Sequence, residues 1–230
     1  MPVSAKTLLR RVGRFVPRED ILFLLCGRRW ESADIDVYCV TRRGRSQVHM
    51  FFDRDRVWNE LFIDNITDVR LKLSACDEIC VNFLAEMKFV HGEAAVWGRL
   101  RKECLDLKTH YVMSPRKRFL LEYRVKCLLS KLSRGGGPQQ DRFIVSALTY
   151  PLLQLVFASH GIFPDSPKRW VCQLKEKLSS KEFSRISCLF SGLPVDYRKI
   201  TSLVGAYCRV LGDFHHVMKS PNNKTSLDAL

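Results

Sequence analysis

The 230-residue chain contains no Cys-x-x-Cys pair, although it has nine cysteines. Their positions (26, 39, 76, 80, 104, 127, 172, 188 and 208) give no zinc-ligand spacing, which excludes a zinc finger or ribbon. The number is odd and several lie inside apolar runs. They read as reduced, mostly buried thiols of a cytoplasmic or nuclear protein rather than a disulfide framework. The opening residues, MPVSAKTLLRRVGRFV, lack the apolar core and small-residue cleavage site of a secretory signal. The most apolar window, Phe143 to Phe163, is interrupted by Thr149, Pro151, Gln154 and His160. That pattern suits a core helix better than a membrane span, so no membrane is expected. Internal repeats are absent. Acidic residues are scarce: 24 Asp and Glu against 38 Lys and Arg, a net charge of +14 with a pI near 9.6. Such a balance favours anionic partners, nucleic acid or nucleoside triphosphates among them. The hydrophobic fraction of 46% argues against general disorder and supplies a substantial core.

Hydrophobic periodicity divides the chain into two characters. Leu8, Leu9, Val12, Phe15 and Val16 recur at helical spacing with Arg10, Arg11 and Arg14 opposite, predicting a first amphipathic helix over 5–16. Ile21 to Cys26 is a fully apolar run ending at Gly27, which reads as a buried strand. A second strand is expected over 35–40. A hairpin is expected from 47–52 and 57–63 around the turn DRDR. From Asp77 the chain turns helical, with a helix over 78–90 stopped at Gly92 and a last short strand at Val96 and Trp97. Helices are predicted at about 98–108, 115–133, 142–160, 167–178, 181–191 and 195–212. Ser114-Pro115 and Ser166-Pro167 both read as an N-cap followed by proline at the first helical position. RGGGPQQ at 134–140 is a connector, and a polar tail follows over 214–230, expected to be disordered. The fold class expected is α+β: a small mixed-sheet domain over 1–95, then an all-helical domain over 96–213.

Strands disfavour aspartate, yet the second strand begins ADIDVYCV, with Asp34 and Asp36 one residue apart. Alternation puts both on one face, with Ile35 and Val37 on the other. Paired carboxylates repel each other unless a cation sits between them, and Mg²⁺ prefers one or two carboxylates plus substrate phosphates. In VWNELFID, Glu60 likewise sits in a largely apolar run and completes the site if the two strands pair. Three carboxylates can hold two metal ions, one activating an acceptor oxygen and one clamping a triphosphate. Gly27 lets backbone N–H groups approach a phosphate, and Arg28 and Arg29 add cationic donors beside it.

The segment LLCGRR…ADIDVYCV resembles the signature of the polymerase-beta-type nucleotidyltransferase superfamily: an apolar run, a glycine turn, a short spacer and Asp-x-Asp on a strand. NELFI falls where these enzymes carry a third carboxylate. LAEMKFVHGEAAVWGRL resembles the end of the catalytic domain in the aminoglycoside-nucleotidyltransferase-like branch. LLEYRVKCLLSKL and FPDSPKRWVCQLKEKL resemble its helical C-terminal domain. The resemblance covers roughly residues 20–190. It implies that Asp34, Asp36 and Glu60 bind two Mg²⁺ ions, with Glu60 helping to deprotonate the acceptor. It also implies that Gly27 and Arg28 contact the β- and γ-phosphates and that Lys168 reaches the triphosphate from a helix start. The reaction implied is transfer of a nucleoside monophosphate from an NTP to an acceptor hydroxyl, with release of pyrophosphate.

This sequence departs from the pattern at Arg28, where Ser or Gly is usual, and in the five residues between Arg28 and Asp34. Both departures favour an alternative: a catalytically decayed member of the fold that binds nucleic acid or a protein partner through its basic surface. A metal-dependent nuclease is a further rival. The acceptor is not written in the motifs: a small hydroxylated molecule suits the aminoglycoside branch, RNA suits the charge, and a protein hydroxyl serves equally. Arg124 in EYRVK is expected to pair with Glu122 or a neighbouring helix. The basic runs RRGR, RLRK and SPRKR read as solvated faces that leave room for a nucleic-acid track.

Overall fold

The computed structural model describes residues 5–27, 35–52, 58–190 and 196–208. Contacts divide the chain into two compact units, Met1–Tyr111 and Val112–Leu230.

In the first unit, α1 (Ala5–Val12) precedes β1 (Ile21–Cys26), β2 (Ile35–Thr41), β3 (Gln47–Phe52) and β4 (Trp58–Asn65). Then come α2 (Ile66–Ser74), α3 (Glu78–Glu86), β5 (Lys88–Gly92) and α4 (Ala94–Thr109). The sheet order is β3-β4-β2-β1-β5. β2 and β4 are parallel, and every other pair is antiparallel. The central strands are covered on both faces. Val37 and Cys39 of β2, Leu61 and Ile63 of β4, and Leu24 and Cys26 of β1 pack with Leu8 and Val12 of α1. On the opposite face Tyr38 and Phe62 meet Phe83 of α3, with ring centroids 5.3 and 4.9 Å away. The apolar alternation predicted for one buried face of β2 is therefore doubled: Tyr38 and Val40 are as buried as Val37 and Cys39.

Several elements differ from the sequence expectation. β4 runs directly into α2, a helix beyond those expected from the sequence; Asn65 caps it by accepting from the Asp68 N–H at 2.9 Å. Asp77 caps α3 as expected, accepting from the Cys80 N–H. The helix stops at Glu86, however, and residues 88–92 form an edge strand on β1 instead of its last turn. Gly92 thus ends a strand, not a helix. Its φ is +103°, and a Cβ there would collide with the Leu22 carbonyl and come within 2.6 Å of Phe23 Cα. No other residue fits this backbone approach without displacing β1. Val96 and Trp97, expected in a strand, lie in the first turn of α4. α4 packs on α3 and belongs to the first compact unit, Met1–Tyr111.

The second unit is helical throughout its described residues. It comprises α5 (Pro115–Ser133), α6 (Pro138–Ser159), α7 (Trp170–Lys177), α8 (Ser180–Ile186) and α9 (Tyr197–Tyr207). Ser114 accepts from the Lys117 N–H and Pro115 occupies N1, as the sequence predicts. Ser179 and Glu182 form a capping box on α8. α6 is long and apolar enough to cross a membrane by length and composition, and 56% of its most apolar window is buried within the protein. Leu148, Leu152, Leu155, Val156 and Phe157 are fully buried there, and α5 and α9 pack against the helix. The tail over 214–230 lies outside the described residues.

Candidate functional site

β2 and β4 pair in parallel with Asp36 directly opposite Glu60. Residues opposed across two strands project from the same sheet face, and neighbouring strands lie roughly 4.8 Å apart. The two carboxylates therefore share one face near the N-terminal ends of β2 and β4, and both are half-buried. Gly27 completes the local frame. Its N–H donates to the Asp36 carbonyl at 2.9 Å. A Cβ at position 27 would lie 3.7 Å from the Asp36 Cβ, so the glycine leaves the space beside this side chain open. The aspartate is tolerated because it stands at the strand's edge of burial, one residue before the fully packed stretch Val37–Val40.

The electrostatics of this corner register on Cys26. Burial raises its thiol pKa, the Asp36 carboxylate raises it further, and the Lys88 ammonium opposes them. Lys88 is in register with Cys26 on β5. The helix expected over 78–90 would put Lys88 in a helical turn; the structure puts it on an edge strand. In this edge strand Phe89 and Val90 are half-buried, while Lys88 and His91 are exposed.

The remaining expected site residues fall elsewhere. Asp34 and Arg28 lie outside the described residues. Lys168 belongs to the second unit, in a 3-10 turn over Pro167–Arg169 that precedes α7, where it is exposed. The Ser166 side chain makes no capping bond there. Among the described residues, no group of three or more His, Cys, Asp or Glu converges as a metal site. The described part of the candidate centre is thus two carboxylates and a glycine. That donor set suits a hard divalent cation: oxygen ligands only, paired, next to an opening that a side chain would otherwise fill.

A second polar cluster lies further along the same sheet face. Asp64 is 5% exposed and accepts from Lys72 Nζ at 2.7 Å on each oxygen and from the Tyr38 hydroxyl at 2.8 Å. Burial alone would raise the Asp64 pKa, but these donors outweigh it and hold the carboxyl below its usual value. Tyr38 is pushed up, first by burial and then by its neighbours Cys80 and Asp64. Asp64 and Lys72 line a cavity of about 290 Å³ with Ser46, Phe62 and Phe83. The pairing joins residues eight apart across a strand–helix junction, which no local pattern announced. A larger cavity, about 620 Å³, lies in the helical unit among Arg142, Thr149, Tyr150 and Trp170. It has no carboxylate in its wall and contains none of the expected site residues, so its size does not make it the catalytic centre.

All nine cysteines are free. Burial pushes Cys39, Cys80, Cys104 and Cys208 up to about 12, which keeps them protonated and inert.

No protein-family profile matches the chain, and no curated protein matches it. Among solved structures, the chain is similar to a nucleotidyltransferase-like protein from Exiguobacterium sibiricum 255-15. The TM-score is 0.51 at 12% identity, covering 88% of this chain and 74% of that one. At that identity the likeness establishes the fold: a mixed five-stranded sheet followed by helices, an α+β nucleotidyltransferase-like architecture.

Proposed function

We propose that this chain is a Mg²⁺-dependent nucleotidyltransferase that moves a nucleoside monophosphate from an NTP to an acceptor hydroxyl. The observation that carries the reading is the Asp36–Glu60 pair across parallel β2 and β4, beside Gly27, within a nucleotidyltransferase-like fold. Asp36 and Glu60, with Asp34 two positions earlier in the sequence, would hold the metal. When bound, Mg²⁺ neutralises the triphosphate and lowers the pKa of a coordinated oxygen. Gly27 and Arg28 would receive the β- and γ-phosphates, and Lys168 is the proposed cation from the helical unit. The acceptor oxygen attacks the α-phosphorus in line, forming one P–O bond as the bond to the β-phosphate oxygen breaks. The acceptor proton passes to the Glu60 carboxylate, and pyrophosphate leaves with the electron pair. The aminoglycoside-type branch supplies a small hydroxylated acceptor as one substrate class, and the basic charge supplies RNA as another.

The test is incubation with each α-labelled NTP, Mg²⁺ and hydroxyl acceptors. Label is expected on the acceptor, with a loss of at least about a hundredfold in Asp36→Asn and in Glu60→Gln. Nucleotide binding without any label transfer would favour the decayed reading, to which Arg28 and the short spacer point. Cleavage of nucleic acid in the absence of triphosphate would indicate the nuclease.

A further inference from the structure

α5 carries six cations, Arg116, Lys117, Arg118, Arg124, Lys126 and Lys131, and a single acid, Glu122. That acid is fully buried, 3.8 Å from Arg118. Arg124, expected to pair with Glu122 or a neighbouring helix, is exposed and makes no ion pair among the described residues. At 100° per residue, Arg116, Leu120, Tyr123, Arg124, Lys131 and Arg134 fall on one stripe about 100° wide. All six are exposed, Leu120 at 54% and Tyr123 at 51%. The inward face of the same helix, with Glu122, Val125 and Leu132, is buried. No acid stands three or four positions from any of the four cations on the stripe. The helix gains nothing from this arrangement: its first turn has three cations and no acid, the reverse of what the macrodipole favours. Lys131 and Arg134 also repel each other at i,i+3.

We propose that this stripe binds a single-stranded polynucleotide. From Arg116 to the C-cap Arg134 the stripe rises through 18 residue steps, about 27 Å, which tracks a phosphate backbone over several nucleotides. Tyr123 and Leu120 stand between the cations on the same stripe. An exposed aromatic among cations is a stacking surface for an unpaired base, which a duplex would not offer it. A lipid surface fits less well, because the apolar face of α5 is buried and only two apolar side chains remain to enter a bilayer. The proposal rests on α5 alone and stands whether or not the carboxylate pair is catalytic.

The test is fluorescence anisotropy of the full chain with a labelled 12-nucleotide single strand, as RNA and as DNA of the same sequence, across a salt series. Wild type is expected to bind with strong salt dependence. Arg124→Glu with Lys131→Glu should weaken binding at least about tenfold and lower the magnitude of the log–log salt slope by about 1.4, at roughly 0.7 per phosphate contact. Arg124→Lys with Lys131→Arg should restore it, Tyr123→Ala should weaken it about tenfold, and Arg43→Ala, at an exposed cation of the sheet unit, should leave it unchanged. Tighter binding of RNA would identify the ribose strand as the ligand, and equal binding a strand recognised through phosphate and base; either supports the proposal. Unaltered binding in the charge-reversed variant, with its thermal midpoint retained, would overturn it. So would preference for the duplex, or phosphatidylserine vesicles binding the stripe without competition from the strand.

Discussion

Residues 1–111 carry 19 Lys and Arg against 16 Asp and Glu, a net charge of +3, whereas residues 112–230 carry 19 against 8, a net charge of +11. The numbers of cations are equal; the difference lies in the acids. In the sheet unit, cations meet carboxylates within the unit: Lys72 with Asp64, Lys108 with Glu86, Arg42 with Glu93 and Arg43 with Asp20. In the helical unit the acids are few, and α5 keeps its single carboxylate inside the core. Charge in the first unit therefore holds structure together and furnishes a candidate metal site. Among the described residues of the second unit Arg169 pairs with Asp165 and Lys199 with Asp196, while Arg116, Arg124, Lys131 and Arg134 on the α5 stripe are exposed.

The largest effect is expected at Asp36 and Glu60: removing either carboxylate should cost at least about a hundredfold in nucleotidyl transfer, measured as labelled acceptor, without lowering the thermal midpoint of the nucleotide-free protein. Next comes Gly92→Ala. A Cβ at positive φ against the β1 backbone should cost about 2–4 kcal/mol, read from urea unfolding. Lys72→Met follows. It leaves the buried Asp64 carboxylate with the Tyr38 hydroxyl but without its cation, for an expected loss of about 2 kcal/mol. The pH dependence has a definite sign. Because the Asp64 pKa is lowered in the folded protein, its contribution is complete above the ordinary carboxylate value of about 4 and is lost as pH falls through the folded value. Stability should thus fall less steeply with acid in Asp64→Asn than in wild type, as followed by denaturation between pH 6 and 2.

The smallest effects separate the two units most cleanly. Arg116→Glu in the first turn of α5 should raise stability by a few tenths of a kcal/mol, since it reverses an unfavourable charge near the helix N-terminus. Arg124→Ala should fall within about 0.5 kcal/mol of wild type in the same unfolding assay. Thiol labelling should modify the exposed Cys172 first and leave Cys39, Cys80 and Cys104 unreacted until the protein unfolds.

Much of this arrangement was legible in the residues. β1 was readable because six apolar residues end at a glycine, and α5 because Ser114-Pro115 marks its start and RGGG its end. The Asp36–Glu60 pairing was readable because each acid interrupts an apolar strand at the same relative place. What escaped lacked punctuation. No glycine or proline separates β4 from α2, or α3 from β5, so one helix went unseen and a strand was absorbed into its neighbour. Val96 and Trp97 have high strand propensity but follow Gly92, where the chain turns into α4, and tertiary packing overrode the local preference. The Asp64–Lys72 pair was invisible because it depends on that unseen helix.

In the proposed function the carboxylates of β2 and β4 act jointly on a metal–nucleotide complex. This joint action is tested most directly by thermal unfolding with each triphosphate, with and without Mg²⁺, in wild type and in Asp36→Asn with Glu60→Gln. A triphosphate at a hundredfold over its Kd should stabilise wild type by about 2.7 kcal/mol only when Mg²⁺ is present, and the double variant by nothing. Equal stabilisation of both proteins, or none in wild type with any triphosphate, would contradict the account.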